Sequence, residues 1–171
     1  DYHCLPVCMV SVGGGVTYGN MGYSHHAIQD YSLMRSLPNM LICSPADPNE
    51  TKLCIDLIIK RKKPSYLRIH KNGEPTLSSN SEMIVPGEPR LIKGDPSSKN
   101  AILTTGFPAQ GIVFNNEFQE KNFCLYSMPA WGMQFKDSLI KFASKYDRVL
   151  TIEDHLVDGG FGSWVLECLI G

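Results

Sequence analysis

The sequence predicts an α/β protein with two open, mostly parallel sheets flanked by helices, the first lobe being incomplete at its N-terminus. Short apolar runs alternate with amphipathic segments along both halves of the 171 residues, a pattern typical of β-α-β units. A stretch rich in Pro, Gly, Ser and Asn separates the two halves. Only three strands precede that stretch, fewer than the roughly five or six of an average sheet. The chain therefore resembles a piece of a longer polypeptide.

The first predicted strand covers residues 6–12 and is nearly all apolar, as expected of a strand that is buried on both faces. A glycine-rich loop follows it. The next helix is predicted at 26–37, because Ala27, Tyr31 and Met34 recur at helical spacing. Pro and Asn at positions 38 and 39 end that helix.

Stronger local signals mark the rest of the first half. A short strand is predicted at 40–43, and a helix at 48–61 with Asp47 as N-cap and Glu50 reaching back as in a capping box. A third strand follows at 65–69.

The second half repeats the alternation of strands and helices. The predicted strands are 101–105, 123–128 and 149–153, and the predicted helices are 108–120, 134–146 and a segment from 163 onward. We therefore divide the chain into a first lobe at 1–73, a linker at 74–100 that contains at most a small hairpin, and a second lobe at 101–171.

Composition excludes several classes of function. A formal net charge of −1 gives no electrostatic reason to bind nucleic acid or an anionic membrane. No apolar run approaches the roughly 20 residues of a transmembrane helix, and the first residues do not resemble a signal peptide, so we expect a cytoplasmic protein. Six cysteines without a C-x-x-C pair predict reduced core thiols, not a disulfide or zinc framework.

The loop after the first strand is the foremost candidate for chemistry. Residues 13–30 contain five glycines and the adjacent pair His25 and His26. Glycine lets backbone approach a ligand closely, and histidine exchanges protons near neutral pH. The alternative, a solvent-facing loop with a histidine that caps a helix, has similar weight on the residues alone.

Two further strand ends carry polar residues. Arg68 near the end of the third strand suits an oxyanion together with His70 and Lys71 just after it. For His70 alone we favour a solvated strand exit. The run at 159–163 follows a strand and opens a helix, as in a dinucleotide cradle, but lacks the G-x-G-x-x-G spacing. For the acidic run at 153–155 we favour a packed interface over a metal site.

Several motifs in fixed order resemble transketolase-type thiamine diphosphate enzymes. They are Gly22-Tyr23-Ser24-His25-His26, Leu37-Pro38-Asn39-Met40, Pro45-Ala46-Asp47-Pro48-Asn49-Glu50, Pro64-Ser65-Tyr66-Leu67-Arg68, Thr151-Ile152-Glu153-Asp154-His155 and Gly159-Gly160-Phe161-Gly162-Ser163. The resemblance assigns 1–73 to the second half of a pyrimidine-binding domain and 101–171 to a truncated C-terminal domain. The pattern is most similar to the separately encoded C-terminal subunit of bacterial split transketolases.

The resemblance also implies site residues. His25 matches the catalytic histidine that contacts the substrate near the thiazolium, with His26 secondary. Lys71 matches the basic residue that binds the sugar phosphate, and Arg68 an arginine of the deoxyxylulose phosphate synthase branch. The loop glycines are expected to leave room for substrate. Met21 and Gly13 stand where the family usually has an acidic residue and a histidine that contacts phosphate.

The implied reaction moves a two-carbon ketol unit between phosphorylated sugars with thiamine diphosphate and Mg²⁺. The activating glutamate is expected upstream of Asp1, and the diphosphate and metal on an N-terminal domain or partner subunit. The chain alone is then inactive and works in a homodimer or heterotetramer. The alternatives are deoxyxylulose phosphate synthase, a 2-oxoacid dehydrogenase E1 β subunit, and a non-catalytic assembly module.

Overall fold

The computed structural model describes residues 1–77, 82–115 and 122–170. Its strands are β1 (Cys8–Val12), β2 (Leu41–Cys43), β3 (Ser65–Ile69), β4 (Arg90–Lys93), β5 (Asn100–Thr104), β6 (Cys124–Ser127), β7 (Ala130–Trp131) and β8 (Arg148–Ile152). Its helices are α1 (Asp30–Arg35), α2 (Pro48–Arg61), α3 (Pro108–Phe114), α4 (Lys136–Ala143) and α5 (Phe161–Ile170).

Two four-stranded sheets confirm the predicted fold class. The first has the order β1-β3-β2-β7 and the second the order β4-β6-β5-β8. Pairing is parallel except where β7 meets β2 and β4 meets β6. One large core cluster lies between the sheets and joins the lobes; its bulkiest buried members are Trp131, Trp164, Tyr31 and Phe161.

The expectation of a buried first strand is wrong. β1 pairs only with β3 among the described residues, and the side chains of Val10 and Val12 are 59% and 56% exposed. An apolar run signals a strand, but it does not distinguish a central strand from the edge of a sheet.

The predicted helix at 26–37 is shorter in the structure. The backbone of His26 is extended, with φ −90° and ψ 125°, and Ala27 exchanges two hydrogen bonds with Gly15, its N–H at 2.9 Å and its carbonyl at 3.0 Å. This pairing requires an extended chain at Ala27, so α1 begins only at Asp30.

The helix predicted at 48–61 is confirmed as α2, and the strand at 65–69 as β3. The Asp47 carboxylate accepts the Glu50 N–H at 2.7 Å. Glu50 reaches back over the start of α2, as predicted, and accepts from the N–H of Ala46 at 2.8 Å. Glu50 also accepts from the Ser127 hydroxyl at 2.8 Å, which ties the two lobes together in a buried contact.

Two strands are absent from the sequence-based expectation. β4 lies within 74–100 and pairs with β6, instead of forming a hairpin in the described part of that segment. β7 follows β6 in the chain yet joins the first sheet, where Trp131 pairs with Ile42. The helix predicted at 108–120 ends at Phe114, and residues 116–121 lie outside the described residues.

The structure also bears on the expected core position of the cysteines and on the expected lack of a transmembrane helix. Cys4 and Cys8 are exposed, so the expected core position is wrong for these two, while the other four cysteines are buried. In the three described segments, no helix has both the length and the apolarity needed to cross a lipid bilayer.

Candidate functional site

The glycine-rich loop starts where β1 ends and is fastened to the end of β3. The N–H groups of Gly13 and Gly14 both donate to the carbonyl of Ile69, at 2.9 and 3.3 Å. Because β1 and β3 are parallel, the loop and Lys71 leave the sheet at the same edge. Ligands of open α/β sheets collect at this edge.

The two histidines occupy different environments in the loop. His25 is exposed, and its Nδ1 lies 3.0 Å from the Ser24 hydroxyl. The ring of Tyr18 meets it edge-on, with centroids 6.5 Å apart. His26 is half-buried, with Nε2 3.4 Å from the carbonyl of Gly19. His25 is thus the more accessible of the two to a ligand.

Lys71 and His70 separate at the exit of β3. The side chain of Lys71 is exposed. The His70 ring stacks on Phe107, with centroids 3.8 Å apart, and its Nδ1 lies 3.0 Å from a Glu74 carboxylate oxygen. Burial lowers the pKa of His70 below its usual 6.5. Lys71 is thus open to solvent, whereas His70 packs one lobe against the other.

Arg68 lies in the interior, with only 3% of the residue exposed. Its Nη1 donates to the Asp154 carboxylate and to the Tyr31 hydroxyl, both at 2.7 Å. Nε lies 2.8 Å from the Asp30 carboxylate, and Nη2 donates to the carbonyl of Ala27 at 2.9 Å. These contacts favour an internal ion pair, and the substrate role of Arg68 stays a prediction.

Aromatic groups close the space around this ion pair. The Arg68 guanidinium lies 4.2 Å from the centroid of the Tyr31 ring. His155 stacks on the same ring at 5.0 Å, and the Tyr66 hydroxyl donates to Asp30 at 2.7 Å. We call Asp30, Tyr31, Tyr66, Arg68, Asp154 and His155 the arginine cluster.

The electrostatics of the arginine cluster keep its cation charged and its phenols neutral. Burial opposes the charge of Arg68, but Tyr31 and the carboxylates of Asp154 and Asp30 outweigh it and raise its pKa. Burial raises the pKa of Tyr31, and burial with the nearby Asp30 raises that of Tyr66. The cluster is therefore a closed unit of paired charges and neutral donors.

The expectation that the loop glycines leave room for substrate is wrong for the first three. A Cβ on Gly14 would lie 2.5 Å from Arg68 Nε, and one on Gly15 would lie 1.9 Å from an Asp154 carboxylate oxygen. The Tyr18 ring fills the space beside Gly13 in the same way. A cavity of about 10 Å³ remains beside Arg68, roughly enough for one water. These glycines admit protein groups, not a sugar.

In the loop at 159–163, a carboxylate already binds the first two amides of the following helix. The two carboxylate oxygens of Glu153 accept the N–H groups of Phe161 and Gly162, each at 2.6 Å. A Cβ on Gly160 would lie 2.5 Å from the same carboxylate. Glu153 therefore occupies the position that a phosphate would need, as the packed interpretation of 153–155 anticipates.

The described residues also offer no metal centre. No group of three or more His, Cys, Asp or Glu side chains among them could hold an ion. Together with the capped loop, this means that the described residues do not fit a diphosphate and its metal. The placement of both groups outside this chain stays a prediction.

Sequence reasoning missed the partners of Arg68. One available signal is the arginine itself, because a charged residue in an otherwise apolar strand is buried only when it is paired. The composition of β3 thus indicates that an acid is needed, but not that Asp30 and Asp154 supply it.

Known proteins are similar to this chain in both lobes. The family described as "Transketolase, pyrimidine binding domain" matches residues 2–75. A subunit of the apulose-4-phosphate transketolase of Phocaeicola vulgatus is 27% identical over 168 residues, which cover 95% of this chain and 53% of that protein. A 1-deoxy-D-xylulose-5-phosphate synthase of Aquifex aeolicus is 31% identical, over 95% of this chain and 26% of the synthase.

Solved structures agree with these sequence relatives. A split gene transketolase described as an inactive β4 tetramer superposes with a TM-score of 0.77 at 28% identity, covering 98% of this chain and 55% of that one. The transketolase of Leishmania mexicana, at 18% identity and a TM-score of 0.72, shares the fold. The chain thus spans about half the length of the apulose-4-phosphate transketolase relative and about a quarter of the synthase.

Proposed function

We propose that the complete protein transfers a two-carbon ketol unit between phosphorylated sugars. The chain belongs to the transketolase family through residues 2–75. The observation that carries the proposal is the exposed His25, on a loop fastened to the ligand-binding edge of the first sheet beside the exit of Lys71. In this proposal the chain supplies one wall of the active site.

His25 and Lys71 contact different parts of the substrate in this proposal. The accessible imidazole of His25 can donate hydrogen bonds to, or exchange protons with, the hydroxyl and carbonyl oxygens of a sugar, since histidine titrates near neutral pH. Lys71 offers a flexible cation for the phosphate at the mouth of the site. His26, tied to the loop backbone, has a secondary role.

Thiamine diphosphate with Mg²⁺ supplies the carbanion chemistry when it is bound. We place the diphosphate and metal on another domain or on a partner subunit, because the described residues do not fit them. This chain alone is then inactive. Calorimetric titration of the isolated chain with thiamine diphosphate and Mg²⁺ tests the point. We expect no micromolar binding, and micromolar affinity contradicts the proposal.

The competing reaction is 1-deoxyxylulose 5-phosphate synthesis, which the relatives of that name favour. A coupled assay of the full-length complex separates the two. Transketolase activity requires turnover of xylulose 5-phosphate with ribose 5-phosphate, whereas the synthase requires pyruvate with glyceraldehyde 3-phosphate. Turnover of only the second pair would reject the two-carbon transfer.

Partner and location belong to the same proposal. One relative is named as a single subunit of a transketolase, and one solved structure is described as a β4 tetramer. We therefore propose a partner subunit and an assembly of two or more copies in the cytoplasm. Size measurement of the complex purified from its source organism tests the assembly, and a monomer without partner contradicts it.

A non-catalytic assembly module is the alternative of another class. Lys71→Met distinguishes it, because the side chain is exposed and its loss leaves packing unchanged. The enzyme requires a rise of roughly tenfold or more in KM for a phosphorylated donor, and little change for an unphosphorylated one, because the variant lacks a charge-assisted contact. A module predicts no change in either KM.

A further inference from the structure

We propose that Asp154 of the second lobe, acting through Arg68, is a positioning residue for the loop that carries His25. The catalytic meaning of this role rests on the proposed function, while the anchoring itself does not. Neither side chain touches substrate in this inference.

An unbroken chain of contacts leads from Asp154 to the histidine loop. The Asp154 carboxylate accepts from Arg68 Nη1 at 2.7 Å. Arg68 Nη2 donates to the carbonyl of Ala27 at 2.9 Å, and the N–H of Gly15 donates to the same carbonyl at 3.0 Å. We call residues 14–30 the histidine segment. Ala27 stands two residues after His25, so the guanidinium fixes the backbone at the point where this segment returns to its own start at Gly15.

Both ends of the histidine segment lie against Arg68 or the Asp154 carboxylate that pairs with it. At the first end, Gly14 and Gly15 pack so closely on Arg68 and Asp154 that neither has room for a Cβ. At the second end, Arg68 contacts Ala27 and the Asp30 carboxylate. His25 lies between the two ends and is exposed. Its position relative to the sheet is therefore set by contacts that it does not itself make.

The anchoring also links the histidine to the second lobe. Asp154 follows β8, whereas Arg68 belongs to β3 of the first sheet. A change in the approach of the lobes moves the carboxylate that orients Arg68. The pair of Arg35 with Glu167 makes a useful contrast, since it also joins the lobes, from α1 to α5, but at the surface and away from the loop.

Hydrogen exchange of the full-length subunit in its assembled complex tests the anchoring. Asp154→Asn keeps the shape of the side chain and removes its charge, and Glu167→Gln is the matched control. We expect the amides of Gly15 and Ala27 to exchange at least tenfold faster in Asp154→Asn, with those of β2 and β5 within twofold of the wild type. We expect the control to be within twofold throughout.

Unchanged exchange at Gly15 and Ala27 in a folded Asp154→Asn protein overturns the inference. If that variant does not fold, Arg68→Lys replaces it. The lysine keeps the charge but, with a single ammonium group, cannot make the separate contacts to Asp154, Asp30 and Ala27. The same loop amides must then exchange faster.

Kinetics separate positioning from a general structural role. Per active site, with xylulose 5-phosphate and ribose 5-phosphate, we expect Asp154→Asn to lower kcat at least tenfold with KM within twofold, because a misplaced His25 weakens transition-state contacts more than binding. An unchanged kcat overturns the positioning role. If the wild-type complex has no such activity, the proposed function fails, and the exchange measurement still decides the anchoring.

Discussion

The exposed histidine segment and the buried arginine cluster lie side by side, but they differ in how far along the chain their contact partners lie. His25 contacts its neighbours Ser24 and Tyr18. Arg68 binds an aspartate 86 residues further along the chain and is almost fully buried. The sequence predicts that both meet substrate. The difference teaches that residue type and position at a sheet edge do not show whether a basic side chain is open to a ligand or paired in the interior.

The largest expected effect on stability comes from removing the buried cation. Arg68→Met leaves the largely buried carboxylates of Asp30 and Asp154 without their cation, so we expect the free energy of unfolding to fall by about 3–5 kcal/mol. Denaturant unfolding of the full-length subunit measures it. Lys71→Met, three residues along and exposed, is the control, with a change below about 0.5 kcal/mol. Equal effects would abolish the contrast between the two sites.

A smaller effect is expected from Gly15→Ala. Gly15 has a φ of +66°, and an added Cβ would meet the Asp154 carboxylate. Backbone strain of this kind costs about 1–3 kcal/mol, and the displaced carboxylate adds to it. Gly19→Ala is the matched control, because nothing lies within 4 Å of its Cβ position. Thermal unfolding of both variants compares them, and similar midpoints would mean that the loop tolerates displacement of Asp154.

Loss of the cap on α5 ranks third. Glu153→Ala leaves the N–H groups of Phe161 and Gly162 without their carboxylate acceptor. We expect a loss of about 1–2 kcal/mol, as for other helix caps. Glu167→Ala removes only a surface ion pair and is expected to cost less than about 1 kcal/mol. A larger loss for Glu167 would reverse the predicted order.

The smallest effect concerns pH. Burial against Phe107 lowers the pKa of His70 below 6.5, so the unfolded state binds a proton more readily than the folded state. The stability of the wild type therefore falls as pH drops from 6.5 towards the folded pKa. His70→Phe keeps the stacking and loses this part of the pH dependence. Both proteins are compared in a Glu74→Gln background, which removes the carboxylate 3.0 Å from His70. Their difference between pH 7 and pH 5 then isolates His70, and parallel curves would contradict the assignment.

Capping and turn residues in the sequence correctly predicted the elements whose ends they determine. Asp47 and Pro48 determine the start of α2, which begins and ends where the sequence indicates. The exposure of β1 and the pairing of β4 and β7 depend on which strands become neighbours. That choice involves residues distant in sequence, so no window of local sequence contains it.

In the candidate site, too, some features follow from local sequence and others depend on residues distant in the chain. The rule that ligands collect at the carboxyl ends of parallel strands placed the loop and Lys71 at one edge, and the structure has them there. The ion pair of Arg68 and the crowding at Gly14 and Gly15 depend on Asp154, which belongs to the other lobe. Residue type alone indicated that Arg68 needs an anionic partner, and the fold supplies the carboxylates of Asp30 and Asp154. Contact of Arg68 with substrate stays a prediction.

The most direct test of the account is the turnover of His25→Ala in the complete complex, with two-carbon transfer followed by the coupled assay. His25 is exposed, and its contacts within the described part of the chain are local, so we expect folding and assembly to be unchanged. Because general acid-base groups contribute roughly 10²–10⁴-fold, we predict a loss of at least about a hundredfold in kcat. Turnover within twofold of the wild type would contradict the central claim that this loop carries the chemistry.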